Sequence, residues 1–339
     1  MYNANMTAEK IYIVDSRADN VFVNQAVEAA LTDYVGKGSV ALMLWANPET
    51  VVIGRNQDAY AECRVDLLES NGGTLARRLS GGGAVFHNVC DLNFTFVADE
   101  QLFSKDDDFD VVTAALAKFG IKAERTGRND LTVDGAKFSG NAYRYVNGKK
   151  LHHGTLIIKS SPEEVARYLT PPSDKFAGKS VKSVQSAVVA LSSLNPEITR
   201  DSLTVALKES FVEKYKDADV IFLPPTALGA DAVINYVAFF AVDDWRYGKK
   251  TEFSVRFADT VLGRNAVVNA AFEGDALKEV RIDTDSLAPE SVLTVEKLIT
   301  EPTADIPERE TAEEGVDCDT VRLEADRLRA RITEEKNAV

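Results

Sequence analysis

Cysteine is scarce in this chain. Cys63, Cys90 and Cys318 are the full set, and they lie far apart with no CxxC spacing. This excludes a zinc ribbon or a disulfide framework and suits a reducing, cytoplasmic setting. Histidine is equally sparse, with His87, His152 and His153 alone and no HxxxH spacing. No apolar run approaches the roughly eighteen residues of a membrane-spanning helix, so none is expected. Residues 1–10 are polar and lack the apolar core of a secretory signal. There is no Walker-type GxxxxGK loop, and no Gly-x-Ser-x-Gly element or Cys–His pair marks a covalent acyl-enzyme. Basic charge is also in deficit. The net charge is −14, and −10 of it falls on residues 273–339. Such a chain is a poor partner for nucleic acid, whose phosphates need a basic face.

What is present is ordinary for a soluble globular enzyme: 339 residues, 45 % apolar and 27 % charged. The length predicts two domains, or one large domain with a small appendage. The most informative stretch is residues 75–88. There Arg77 and Arg78 lead through Leu79 and Ser80 into Gly81, Gly82 and Gly83, then Ala84, Val85, Phe86 and His87. Guanidinium groups match phosphate oxygens, and three glycines let the backbone approach a ligand and turn its amides inward. A phosphate cradle and a plain glycine-rich hairpin turn flanked by solvated arginines both explain these residues.

In chain order, residues 11–14 read as a strand, and Asp19 or Asn20 as the cap of a helix ending near Tyr34. Apolar runs over 41–45 and 50–53 flank Asn47, Pro48 and Glu49, a hairpin-like turn. A short helix is expected over 65–70. A strand over 74–78 delivers the glycines, with 92–97 as its returning partner. Then come a helix over 109–119, a strand over 121–125 and an Asp134-Gly135 hairpin signal. Strands over 137–145 and 151–159 meet at a turn over 146–149, and helices follow over 162–169, 201–214 and 232–241. An irregular, Lys-rich stretch holding Lys175, Lys179 and Lys182 lies between. Short strands over 253–257, 265–272 and 277–283 and a terminal helix over 320–332, with Val321, Leu328 and Ile332 inward, place a domain boundary near Gly248.

Asn129 and Asp130 follow Gly127 and Arg128, either as Asx-turn residues or as polar groups for a nucleotide. Lys137 is either a solvated strand residue or, with Ser139 and Gly140 beside it, a ligand contact. Strand alternation sends His152 and His153 to opposite faces, so they cannot chelate one metal together. With no triad in view, Arg, Lys, Asn, Asp and glycine amides suit a reaction in which the protein stabilises phosphate charge and the substrate supplies the nucleophile.

Taken in order, these stretches resemble the lipoate–protein ligases of the biotin and lipoate ligase superfamily. The resemblance runs through Trp45 and residues 50–57, residues 76–87, Gly127 to Leu131, residues 137–144 and His152 to Leu156. It continues with Lys182, Ser183 and Val184, and ends with Thr284, Asp285, Ser286 and Leu287. It implies an α+β fold of mixed, largely antiparallel β-sheets flanked by helices over 1–248, and a small α/β C-terminal accessory domain over 249–339. It also implies a two-step ligase. The lipoate carboxylate attacks the α-phosphate of ATP to give lipoyl-AMP and pyrophosphate. The acyl group then passes to a lysine of a lipoyl domain.

By motif position, Arg78, Gly83, Ala84, Val85, Phe86, Asn129, Asp130 and Lys137 would hold the nucleotide. Lys137 would bridge the acyl carbonyl and the α-phosphate as the catalytic residue. Lipoate would meet Lys137, Arg78, Ser80, Gly82, His87, Ser139, Gly140, His153 and Gly154. Mg²⁺ is implied by ATP chemistry and the family, with no metal ligands assigned in the protein. The implied partners are lipoyl-domain acceptors, the E2 subunits of 2-oxoacid dehydrogenases and the H protein of glycine cleavage. Neither nucleic acid nor membrane is among them, and the chain is expected to be a cytoplasmic monomer. The rivals are an acyl transferase working through a cysteine acyl-enzyme, a biotin ligase and a non-catalytic lipoate-binding protein. None of the three cysteines lies in the 137–156 region where the first would place its nucleophile.

Overall fold

The computed structural model describes residues 7–126, 129–170, 188–249, 251–306 and 316–338. Gly127, Arg128 and the stretch with Lys175, Lys179, Lys182, Ser183 and Val184 lie outside the described residues. In chain order the strands are β1 (Lys10–Asp15), β2 (Ser39–Trp45), β3 (Thr50–Ile53), β4 (Thr74–Arg77), β5 (Val85–His87), β6 (Leu92–Asp99) and β7 (Glu124–Thr126). They continue with β8 (Asp130–Val133), β9 (Ala136–Val146), β10 (Lys149–Leu156), β11 (Asp219–Phe222), β12 (Val255–Val261), β13 (Arg264–Glu273) and β14 (Ala276–Thr284).

Eight of these strands form one mixed sheet in the order β11-β1-β2-β6-β10-β9-β8-β7. Only the pairs β1–β11 and β1–β2 are parallel; from β2 onward every pairing is antiparallel. Strand β2 is buried at every residue because both faces of the sheet are covered there. On one face Leu42, Leu44, Phe94 and Phe96 pack on the helices Lys105–Ala117 and Arg200–Lys214 through Phe109, Val112, Leu207 and Phe211. On the other face Ala41, Met43 and Trp45 meet Val27, Ala30 and Leu31 of the helix Val21–Tyr34. That helix starts where the Asn20 side chain accepts from the Phe22 and Val23 amides.

Two tight hairpins lie where expected. Asp134 and Gly135 take φ of 50° and 79°, and Asn147 and Gly148 take 50° and 75°, the left-handed pairs that two-residue loops need. Two expected pairings do not form. Strands β2 and β3 are not a hairpin, because the chain at Asn47–Glu49 crosses to a second, three-stranded sheet of order β4-β3-β5. Nor does β6 return along β4. Strand β3 lies parallel to β4 and antiparallel to β5, so β5 is the strand that follows the glycines back. The helix expected over 109–119 begins a turn earlier, at Lys105. Ser104 caps it there, and Asp106, Asp107 and Asp108 complement its N-terminus. The strand expected over 121–125 is pushed on to Glu124–Thr126.

A third sheet, β12-β13-β14, packs on the helices Pro289–Thr300 and Cys318–Asn337 around its own core. Val321, Leu328 and Ile332 point into that core, as the helical spacing predicts. The connection from β14 to the helix Pro289–Thr300 reaches back to the small sheet. The Thr284 amide donates to Asn56 O at 2.8 Å, and Arg55 pairs with Glu290 at 2.8 Å. Among the described residues no helix is long and apolar enough to cross a membrane.

Candidate active site

A cavity of about 490 Å³ lies between the large sheet and the glycine loop that joins β4 to β5. Its walls include Arg78, Gly82, Gly83, Ala84, Val85, His87, Asn129, Asp130, Lys137, Gly140, His153 and Gly154. Fifteen distinct positions were expected to bind adenylate or acyl group, and the structure brings these twelve to one pocket. Ser80, Phe86 and Ser139 do not line it. Phe86 turns into the small core against Tyr168. Ser139 is fully buried and takes part in a hydrogen bond with Asn141. Ser80 is buried behind the wall.

The two arginines part company because neighbours on a strand face opposite ways. Arg77 turns away from the cavity and clamps backbone carbonyls: Trp245 O at 2.7 Å, Gly54 O at 3.2 Å, Arg55 O at 2.9 Å, Gln57 O at 2.6 Å and Arg246 O at 3.3 Å. It is a structural cation, and its expected share in a phosphate cradle is corrected. Arg78 faces the cavity and holds the loop in shape. It donates to Gly81 O at 2.6 Å, Gly83 O at 2.8 Å, Val52 O at 3.1 Å and the Ser80 hydroxyl at 3.0 Å. Burial pushes both guanidinium groups down to about 10, so they remain charged at neutral pH.

The Gly81 and Gly83 carbonyls are drawn onto Arg78. Gly82 N is taken by Ser286 O, while no acceptor among the described residues stands against the Gly83 and Ala84 amides. A Cβ at Gly83 would meet open space. Two free amides beside a buried cation make an anion-accepting concavity.

Lys137 faces the pocket because of a β-bulge. Asp130 opposes Gly140 and Leu131 opposes Ser139, yet Thr132 opposes Lys137, with the register slipping between Leu131 and Thr132. Strict alternation from Gly140 would put Lys137 on the opposite face. The extra residue, Phe138, turns into the core and restores Lys137 to the face of Asp130 and Gly140. The Lys137 ammonium lies 2.8 Å from Asp130 Oδ1 and passes over Gly140, where a Cβ would sit 3.2 Å from its nitrogen.

His152 and His153 take opposite faces, as expected. His153 Nδ1 lies 2.8 Å from Glu28 Oε1, and its Nε2 lies 2.7 Å from Ser80 Oγ. Ser80 Oγ accepts from Arg78 Nε and pairs with His153 Nε2, while His153 Nδ1 faces the Glu28 carboxylate. Burial raises the Glu28 carboxyl, but the facing His153 and the Thr95 hydroxyl outweigh it and hold it below the ordinary range. The chain Ser80–His153–Glu28 has the order of a hydrolytic triad, yet the Ser80 hydroxyl is enclosed, so the array positions rather than attacks. His152 is buried between Asp108 Oδ2 at 3.0 Å and Asn141 Oδ1 at 3.1 Å. Asn141 Nδ2 in turn donates to Asn129 O at 2.7 Å and fixes the rim of the pocket.

Gln25, Glu28, Trp45, Val52, Asn93, Asn141, Ala142, Thr155, Arg264, Asp285 and Leu287 complete the lining. None of them was assigned a role from sequence. Trp45, Val52, Asn141, Ala142, Thr155, Asp285 and Leu287 lie within stretches carrying the resemblance, and the alternation over 92–97 marks Asn93 as polar on one face. The helix residues Gln25 and Glu28 offered no such signal. Arg264, Asp285 and Leu287 come from the C-terminal sheet and its exit. Among the described residues there is no group of three or more His, Cys, Asp or Glu side chains that could hold a metal ion.

The pocket thus lies between a mixed sheet and a glycine loop. The model of the lipoyl protein ligase A/B catalytic domain matches residues 20–212, and the chain belongs to that family of ligases. It is 35 % identical over 308 residues to the lipoate-protein ligase A of Psychrobacter cryohalolentis, covering 88 % of each chain. In fold it is similar to LipL1 of P. falciparum, solved in complex with lipoate (TM-score 0.75, 24 % identity, 96 % of this chain and 99 % of that one). The bipartite lipoate protein ligase of Thermoplasma acidophilum, studied with its E2 lipoyl domain, shares the fold as well (TM-score 0.61, 23 % identity, 74 % of this chain and 100 % of that one).

Proposed function

We propose that this ligase activates free lipoate with ATP and transfers the lipoyl group to a lysine of a lipoyl domain. The observation that carries the reading is the Lys137 ammonium, held by Asp130 over Gly140 on the face of the sheet that the Gly83 and Ala84 amides also border. In the first step a lipoate carboxylate oxygen attacks the α-phosphorus, and the bond to the bridging oxygen breaks to release pyrophosphate. The carboxylate is already ionised at neutral pH, so no general base is required. Lys137 neutralises charge on the oxygens of the bond being made, while the Gly83 and Ala84 amides and the buried Arg78 receive the phosphate. In the second step the neutral amine of an acceptor lysine attacks the acyl carbon. AMP leaves, the amine loses its proton, and Lys137 stabilises the tetrahedral oxyanion.

Asn129 and Asp130 flank the nucleotide in this reading, and His87, His153 and Gly154 border the acyl chain. Mg²⁺ would enter with the phosphates of ATP, which supply oxygen ligands for it. Residues 1–248 act as the catalytic domain. Residues 249–339 act as an accessory domain that supplies Arg264, Asp285 and Leu287 to the pocket. The acceptors are lipoyl domains of E2 subunits and of the glycine cleavage H protein. The decisive measurement is ATP–pyrophosphate exchange. Exchange dependent on lipoate supports the assignment; exchange with biotin instead, or none with lipoate, overturns it.

A further inference from the structure

Behind one wall of the pocket the hydrogen bonds run in a single direction. Asn24 Nδ2 donates to Asn47 Oδ1 at 2.9 Å, and Asn47 Nδ2 lies 3.0 Å from His87 Nδ1. That leaves His87 Nε2 as the ring donor, directed at Thr155 Oγ1 at 2.9 Å, and the Thr155 hydroxyl donates to Asn93 Oδ1 at 2.8 Å. Burial, with Arg78 and His153 nearby, pushes His87 down to about 3, in keeping with a neutral ring that carries one N–H. The chain of donors ends at the Asn93 amide nitrogen. That nitrogen is buried and has no acceptor among the described residues, while Asn93 itself is 2 % exposed and forms part of the pocket wall.

Its position follows from the strand register. Asp130, Gly140, Thr155, Asn93 and Trp45 oppose one another in succession across β8, β9, β10, β6 and β2, all on the pocket face. Asn93 therefore stands two strand spacings, roughly 10 Å, from Gly140, over which the Lys137 ammonium lies. Laid across the strands with its carboxylate at Lys137, an extended eight-carbon acid would reach Asn93.

We propose that Asn93 is a specificity residue that reads the sulfur-bearing end of the acyl chain, its amide N–H donating to a dithiolane sulfur. Divalent sulfur is a weak acceptor. A chain ending in a methyl group leaves the donor buried and unpaired, the arrangement that makes a site reject the shorter-handed analogue. This inference rests on the proposed lipoate site, and its test separates the two.

Calorimetric titration of the parent chain with lipoate, octanoate and the cyclopentane analogue of lipoate, which keeps the ring but not the sulfurs, is the first measurement. Lipoate is expected to bind about tenfold more tightly than the all-carbon ring. Equal affinity for the two rings overturns the role of Asn93 alone, whereas failure to bind any of the three overturns the proposed function and this inference with it. The second measurement compares kcat/KM for acyl-adenylate formation in the parent and Asn93→Leu. The variant is expected to lower the lipoate-to-octanoate ratio of kcat/KM by about tenfold. An unchanged lipoate-to-octanoate ratio in the folded variant overturns the proposal, and the parent titration decides the question should the variant fail to fold.

Discussion

The Gly82 amide donates to the Ser286 carbonyl at 2.9 Å, which ties the glycine loop to the segment entering the helix Pro289–Thr300. Around this bond the backbones are too close for side chains. A Cβ on Gly81 would lie 2.1 Å from Ser286 O, and one on Gly54 would lie 2.1 Å from Gly82 O. The three-glycine run thus serves the junction with the C-terminal sheet as well as the ligand.

Gly81→Ala is the direct probe of that junction. The new methyl meets backbone rather than a movable side-chain tip, so the loop or the 284–287 segment has to shift. A displacement near 1 Å in a positioning element costs about tenfold or more in rate. The expected outcome is at least that loss in lipoate-dependent pyrophosphate exchange, with the circular dichroism spectrum unchanged. Exchange at the parental rate shows that the junction does not shape the pocket.

Lys137→Ala removes the cation that the Phe138 bulge turns toward the cavity. Losing one preorganised electrostatic contact at a reacting centre costs about 10²–10³ in turnover, and Lys137 is partly exposed, so the fold is expected to survive. Asp130→Asn keeps the lysine but frees it from its 2.8 Å ion pair, and a smaller loss is expected. Single-turnover adenylate formation measures both. Near-parental activity of Lys137→Ala in a folded protein refutes its assignment.

Local chemistry was the legible part of this chain. Asp134-Gly135 and Asn147-Gly148 specify their hairpins because left-handed dihedrals are a property of the dipeptide itself. The Val21–Tyr34 helix and its Asn20 cap were readable for the same reason. Sheet membership was not. Nothing near Pro48 says that β3 leaves the sheet of β2, since the choice rests on burial against elements far along the chain. In the site, motif order located Lys137 and the glycine loop, while the sheet geometry divided Arg77 from Arg78 and bulged β9 at Phe138. Strand periodicity sends neighbouring arginines to opposite faces, but it does not say which face will meet a ligand. Strand alternation marked Asn93 as polar on one face without saying that this face meets a pocket, and Glu28 joins the pocket through tertiary packing alone.

The cysteines provide a negative test of the acyl-enzyme alternative. None of them lines the pocket. Burial, with Glu69 and Glu62 nearby, pushes the Cys63 thiol up to about 12, far from a reactive thiolate. Cys90→Ser and Cys318→Ser, singly and together, are expected to keep activity within about twofold of the parent. Inactivation of Cys90→Ser would revive a thioester route, and mass spectrometry of the trapped intermediate would then show acyl on the protein.

Glu296 makes the pH dependence of the C-terminal sheet testable. Burial pushes its carboxyl up to about 8, partly opposed by the Ile282 amide that donates to it, while nearby Asp283 adds to the rise. Below the ordinary carboxylate range the folded and unfolded chains both hold this proton. Between that range and about 8 only the folded chain does, so the unfolded state binds fewer protons and stability falls as pH rises through the window. Glu296→Gln keeps an oxygen for the Ile282 amide and removes the titration. The variant is therefore expected to melt with the parent near pH 4 and above it at pH 8.5, by several degrees, on the order of 5 kcal/mol for the full shift. Thermal melts of the full chain at both pH values decide it. A gap that stays constant or narrows with rising pH means that Glu296 is already ionised in the folded protein.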